Sequence, residues 1–344
     1  MVTAVPPQQA KSRLAGDPSA EDPHENEGVR FMTLSPYERF AVRTPIRREL
    51  YPDAKGRQGL ALTYLSGRQV PEANFYLELS WIYDVSQPHR HMSQRVLDHD
   101  QLLLHIGMDP NTPQELGGTV AFYLDGQAIV FNTTTTVFIP RGTPYGPLTW
   151  KEIRRPHVQL SMVFGNGDPS SGLDRRAVEN GTCVPEKTRN FDFEQYVIRS
   201  PMREAGPTCV EGRQNPTMTY LSRRQINSVN HYIEFGWIWG VPDPQLPRMR
   251  HDGFDEIVLH LGSDPDDPED LGGSLQFGVG EDLLEFDTTH CIYAPRGMDH
   301  GPAIWKEVRR PLIELAMMLG AGTLEEGWAN SFFDQPDGSR RGPK

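Results

Sequence analysis

The amino-acid sequence predicts an all-β protein in which one domain occurs twice. Two observations carry that prediction: a long internal repeat, and short apolar runs that alternate every second residue and stop at glycine, proline or aspartate. HIGMDPNTPQELGG (His105 to Gly118) returns as HLGSDPDDPEDLGG (His260 to Gly273), and WKEIRRP (Trp150 to Pro156) returns in the same register as WKEVRRP (Trp305 to Pro311). Upstream, TYLSGRQ (Thr63 to Gln69) matches TYLSRRQ (Thr219 to Gln225) across a one-residue gap. A period this long exceeds that of solenoid repeats and marks a whole domain duplicated in one chain. The copies fall at about residues 45–170 and 201–322, joined by a linker over 171–200 that GNGDPSSG (Gly165 to Gly172) opens. Residues 1–40 and 334–344 read as disordered tails.

Within each copy the elements are strands. FYLELSWIY puts Phe75, Leu77, Leu79, Trp81 and Tyr83 on one side, and HYIEFGWIW does the same with Ile233, Phe235, Trp237 and Trp239, the period of a half-buried strand. EIVLHLG, SLQFGV, CIYAP and LIELAMM are further short runs between turn residues. No long helical stripe interrupts them. Many short strands with frequent turns predict a closed barrel or a sandwich, which leaves few exposed edges.

A chain of 344 residues accommodates two such domains with ordinary cores. The net charge of -12 opposes binding to phosphate backbones and anionic lipid, so nucleic acid and membrane surfaces are not expected partners. The paired arginines Arg154–Arg155 and Arg309–Arg310 sit beside acidic residues in their repeated phrase and are expected to form structural ion pairs. Cys183, Cys209 and Cys291 lie far apart with no metal-knuckle spacing, and no apolar leader or run of about eighteen apolar residues occurs, so a cytoplasmic location is expected.

The chemistry-bearing residues are unequally shared. The second copy contains RHDGFDEIVLHLG (Arg250 to Gly262) and YAPRGMDHGP (Tyr293 to Pro302); the first has VLDHDQLLLHIG (Val96 to Gly107) and FIPRGTPYGP (Phe138 to Pro147). These phrases resemble the two motifs of the cupins, G(X)5HXH(X)3-4E(X)6G and G(X)5PXG(X)2H(X)3N. His251 and Glu256 fit HXH(X)4E, and Pro295 to His300 fits PXG(X)2H. The match departs where Met249 replaces the first histidine, where Gly262 comes one position early, and where Ile304 stands in place of asparagine. The resemblance implies a bicupin: two tandem jelly-roll, or double-stranded β-helix, barrels.

It also implies a metal centre of His251, Glu256 and His300 in the second barrel, with Met249 as apolar wall. Two imidazoles and a carboxylate suit a divalent first-row metal and leave coordination positions open. The likeness to two-histidine, one-carboxylate sites favours Fe(II); Mn(II), Ni(II) and Zn(II) suit the same donors. In the first copy Val96, Gln101 and Tyr145 stand at the three ligand positions, so that barrel is expected to be structural. His89 and His91 form an HXH placed too early to serve Gln101.

Other residues carry a functional and a structural reading. His105 and His260 recur in both copies and are expected to make structural hydrogen bonds. Glu314, aligned with Gln159, either orients a metal-bound histidine or faces solvent. Tyr232, Trp237 and Trp239 line the pocket or the core. Arg141 and Arg296 recur in both PRG turns and are expected to be structural. The acidic loop Asp264 to Asp270 is expected to be a rigid solvated loop, with calcium the alternative.

The expected function is a metal-dependent oxidoreductase of oxygenase type acting on a small organic molecule in the second barrel. A metal-dependent isomerase, lyase or decarboxylase and a non-catalytic sensing barrel are the alternatives, and a homo-oligomer is compatible with each.

Overall fold

The computed structural model describes residues 35–49, 55–57, 60–87, 95–168, 190–205 and 210–333. The expected tails over 1–34 and 334–344, the middle of the linker, His89, His91, Cys183 and Cys209 lie outside the described residues. Strands dominate the described chain, and no helix in it is long and apolar enough to cross a membrane.

Each copy is a large sheet facing a small one. In the second copy the large sheet runs Ala41–Val42, His290–Ala294, Asp255–Leu261, Leu312–Leu319, His231–Asp243, Thr217–Leu221, Met202–Ala205, with Glu211–Arg213 paired to the long strand. Its small sheet runs Met249–Arg250, Asp299–Val308, Asp270–Val279, Asp282–Thr288. The first copy repeats this order with Val197–Ile198, Thr135–Ile139, Gln101–Gly107, His157–Phe164, Phe75–Gln87, Leu60–Leu65 and Ile46–Glu49, facing Tyr145–Ile153, Glu115–Leu124 and Gln127–Thr133.

The short first strand of each large sheet comes from a segment preceding the other barrel. Ala41 and Val42 lead into the first copy but pair with Ile292 and Cys291 of the second; Val197 and Ile198 lead into the second but pair with Val137 and Thr136 of the first. The leaders are themselves a repeat, YERFAVRTP (Tyr37 to Pro45) against FEQYVIRSP (Phe193 to Pro201). Their fastenings match: Arg43 binds Glu38 at 2.7 Å and the Glu285 carbonyl at 3.3 Å, while Arg199 binds Glu194 at 2.6 Å and the Val130 carbonyl at 3.0 Å. Residues 35–40 and 190–200, read from sequence as tail and linker, therefore contribute to barrels. So does the chain beyond 322, where the Leu324–Trp328 helix and the residues after it pack on the second barrel.

The large-sheet strands are buried on both faces, not one. Every residue of Gln101–Gly107, Thr135–Ile139 and His157–Phe164 is buried. The apolar alternation seen in the sequence faces the other copy: Leu77, Leu79, Leu102, Leu104 and Leu160 of the first barrel share one core with Phe235, Trp237, Ile257, Leu259 and Leu315 of the second. The opposite faces, carrying the polar residues of the alternation, line the two lumens. Strands of the small sheets keep a wet side, as in Asp282–Thr288, and there the alternation has its ordinary meaning.

The expected ion pairs are present. Arg155 binds Asp109 and Glu115, and Arg310 binds Asp264 and Asp270, fixing the two proline-rich loops. Arg47 takes Glu269 of the same acidic loop. With three of its carboxylates held by arginines, that loop fits the structural reading.

Candidate metal centre

The second lumen is laid out by register. Glu256 lies opposite Met318, which lies opposite Tyr232; Val258, Ala316 and Glu234 form the next row, and His260, Glu314 and Gly236 the third. Residues directly opposite share a face of the sheet, so these nine positions line one wall. The small sheet closes over them with Phe277 and His300. Six of the nine, Glu234, Glu256, Val258, Glu314, Ala316 and Met318, enclose with these two and with Arg213, Leu246, Met249, Trp328 and Phe332 a cavity of about 40 Å³ for the centres of water molecules, space for a ligand of few atoms.

His251, Glu256 and His300 meet at one end of it, all buried, with one donor atom from each within 4.8 Å of the others. Glu256 opens its strand opposite Ala294, next to the Pro295 turn. Gly297 takes φ +79° there, with Met298 N–H donating to the Pro295 carbonyl at 3.0 Å, the turn that requires glycine at its third position. Gly297 N–H donates to the His251 carbonyl at 2.6 Å, so one turn fixes the backbone of the first histidine and delivers the second. Met249 pairs with His300 across the strands and lines the cavity, as expected for apolar wall.

Hydrogen bonding assigns the imidazole tautomers. Ser331 Oγ lies 3.0 Å from both the Gly327 carbonyl and His251 Nδ1; with its proton given to the carbonyl, it accepts from Nδ1. His300 Nδ1 lies 3.2 Å from the Met298 carbonyl, which can only accept. Both neutral rings then carry their proton on Nδ1 and turn an Nε2 lone pair toward Glu256 Oε2, at 3.0 Å from His251 and 2.6 Å from His300. His300 Nε2 stands outside hydrogen-bonding direction despite that closeness, and has no hydrogen-bond partner among the described residues. Three lone pairs converging in a buried space repel unless a cation lies between them, and this donor set fits a divalent first-row metal. Burial pushes the Glu256 carboxyl up; only imidazolium rings donating from Nε2 would hold it below the usual carboxylate range, the same charge compensation that a cation between the three groups supplies.

His260 is not part of this group. Its Nδ1 meets His290 Nε2 at 2.9 Å and its Nε2 meets Glu314 Oε2 at 3.2 Å, the structural bonding expected for it. Glu314 neither faces solvent nor touches a member of the trio: its other oxygen lies 2.5 Å from Arg213. Burial raises the Glu314 carboxyl, while Arg213 and His260 bring it down to about 2. Tyr232 bonds Thr219 and Glu234 at the lumen wall, whereas Trp237 is buried in the core shared by the barrels and Trp239 is exposed. The PRG turns use the backbone of their arginines, Arg141 N–H on Asp100 and Arg296 N–H on Asp255, with the Arg296 side chain largely exposed.

In the first barrel Val96 is exposed, Gln101 binds Ser161 at 3.0 Å, and the buried Tyr145 ring packs on Phe122. Tyr145 belongs to a compact apolar cluster with Leu103, Val120, Phe131 and Trp150, which accords with a structural barrel.

Ser331, Trp328, Phe332, Glu234 and Arg213 are lumen residues that sequence reasoning missed. Glu234 accepts from Thr217 at 2.9 Å, and burial lifts its carboxyl to about 7 against the pull of Thr217 and Arg213. Its alternation with Tyr232 marks the lumen face, although only the register distinguishes that face from the other buried one.

Two facing-sheet jelly rolls in tandem, one with an apolar cluster around Tyr145 and one with a buried His2Glu cluster, define a duplicated β-barrel protein with a single candidate metal site among the described residues. The fold is that of a bicupin. A mutant of oxalate decarboxylase OxdC from Bacillus subtilis superposes with a TM-score of 0.51 over 82% of this chain and 77% of that chain, at 11% identity. Vicilin from Corylus avellana (hazelnut) gives 0.49 over 82% and 86% at 11% identity, and AerE from Microcystis aeruginosa 0.46 over 80% and 96% at 9% identity. No protein-family model and no curated protein sequence matches the chain. Identities this low carry the fold and leave the reaction to the site.

Proposed function

We propose that the second barrel binds a divalent first-row metal through His251, Glu256 and His300, and that the protein is a metal-dependent enzyme acting on a small organic molecule in the adjoining cavity. The single observation behind this reading is the convergence of two imidazole lone pairs and one carboxylate oxygen in a buried space, with both Nδ1 atoms already bonded elsewhere. A metal held there supplies Lewis acidity and, with Fe(II), electrons for dioxygen chemistry. The chain's own residues do the rest. Ser331 and the Met298 carbonyl orient the ligands, Trp328 and Phe332 restrict water, and Glu256 contributes the one negative charge of the donor set.

Three protein donors leave positions for substrate and dioxygen together, which favours an Fe(II) oxygenase. The second reading is proton-transfer chemistry of lyase, isomerase or decarboxylase type, and Glu234 favours it: a buried carboxyl lifted to about 7 on the cavity wall can hold or release a proton near neutral pH. Metal content of protein purified without oxygen, followed by turnover of small diols, ketones and acids with and without oxygen, tests both. Stoichiometric iron with oxygen uptake supports the first; oxygen-independent turnover supports the second. Protein that takes up no metal refutes the common premise.

A further inference from the structure

Away from the histidines, the cavity wall carries a buried arginine. Glu211–Arg213 pairs with the long His231–Asp243 strand irregularly, Glu211 opposite Asp243 and Arg213 opposite Ile238. Gly212 makes this crossing possible: at φ +72° it passes so close to Gly240 and Val241 that a Cβ would stand 2.8 Å from their carbonyl oxygens. The irregularity carries Arg213 into the lumen, where its side chain keeps only 10% of its exposure and one terminal nitrogen holds Glu314. Its Nε is buried without a hydrogen-bond partner among the described residues, although an unpaired donor at such depth is destabilising. Glu314 is also one of the positions that distinguish the barrels, the first having Gln159 there.

Charge points the same way. While Glu234 keeps its proton, the lumen carboxylates Glu256 and Glu314 face Arg213, and a dication on the trio leaves one positive charge over in a buried space. A buried net charge is costly, and a monoanion offsets it.

We propose that the cavity ligand is a small monoanionic organic acid whose carboxylate is received by Arg213, Nε–H included, while the rest of the molecule lies toward His251, Glu256 and His300. Arg213 is the specificity-determining residue of the site. Glu314 positions it, and the narrow cavity limits the acid to a few heavy atoms. This inference rests on the proposed metal site.

The test uses full-length protein loaded with Co(II), metal content measured throughout, and calorimetric titration with sodium acetate and with neutral acetamide. Arg213→Lys retains a cation for Glu314 without the Nε donor. The double variant Arg213→Gln with Glu314→Gln removes both charges together, so no buried ion is left alone. Acetate binding to wild type in preference to acetamide, weakened tenfold or more in both variants at unchanged cobalt content, is the expected result. Cobalt bound in full with acetate affinity indifferent to Arg213, or acetamide held as tightly as acetate, overturns the inference and leaves the metal site standing. Protein that takes up no cobalt overturns both, and the metal measurement alone identifies that case.

Discussion

Glu256→Gln distinguishes a metal cage from a buried ion pair by the sign of its effect. In the metal-free protein at pH 8.5, where free imidazole is neutral, the carboxylate faces two Nε2 lone pairs at 3.0 and 2.6 Å. A glutamine in the same place turns its amide hydrogens toward both nitrogens and removes a buried charge. Two buried hydrogen bonds at about 1 kcal/mol each, less the loss of whatever solvation the carboxylate retained, give a gain of about 1–3 kcal/mol. For a protein of this size that is a rise in Tm of roughly 2–6 °C. The assay is differential scanning calorimetry in EDTA, then with metal added. At a free metal concentration of one hundred times Kd, wild type gains about 2.7 kcal/mol, and the variant, without its anionic ligand, gains nothing. If His251 and His300 are instead imidazolium partners of a structural ion pair, the substitution leaves buried charge uncompensated and costs about 3–5 kcal/mol. A fall of that size, or an undiminished metal response, refutes the lone-pair account.

Ser331→Ala frees the His251 ring and is expected to weaken metal binding by about 10–100-fold with little change in the metal-free Tm, measured by competition with a chelating dye. Glu234 has its carboxyl raised from 4.5 to about 7, so the folded state keeps a proton that the unfolded state loses first. Its contribution to stability is complete below pH 4.5 and is lost as pH rises to 7, a difference of about 3 kcal/mol that Glu234→Gln removes, as urea titrations across that range would measure. Phe40→Ala takes a buried ring off Tyr293 and is expected to cost about 3–5 kcal/mol, with hydrogen exchange rising first along His290–Ala294 in the second barrel, although Phe40 precedes the first.

The duplication and the strand class were legible because alternation and turn chemistry are local, and the clustering of His251, Glu256 and His300 was legible because their spacing occurs in one copy and not the other. The function of each strand face was not. FYLELSWIY and HYIEFGWIW look half-buried, and their apolar sides do meet a core, but that core lies between the barrels while Glu78 and Glu234 point into the lumens. Alternation separates two faces without saying which one closes on itself. The leaders escaped notice because they have diverged to a few common residues, Glu38 with Glu194 and Arg43 with Arg199 among them. Ser331, Trp328 and Phe332 had no paired phrase to mark them. Arg213 enters the lumen through an irregular pairing at Gly212; the repeat holds the same phrase at Gly56 to Gln58, with the same crossing at Arg57, but its apolar alternation does not show where the arginine goes.

The crossed leaders make each barrel complete only in the presence of the other. Severed in the linker, the two pieces would stay bound, since each still clasps its neighbour by a borrowed strand and a shared apolar seam. A half expressed by itself would display a bare edge at His290–Ala294 or Thr135–Ile139 and would satisfy it by trading leaders with a second copy of itself. The tandem chain thus preserves the geometry of a strand-exchanged homodimer. That arrangement lets the barrels differ: the first, without the buried His2Glu cluster, is still the support against which the second closes.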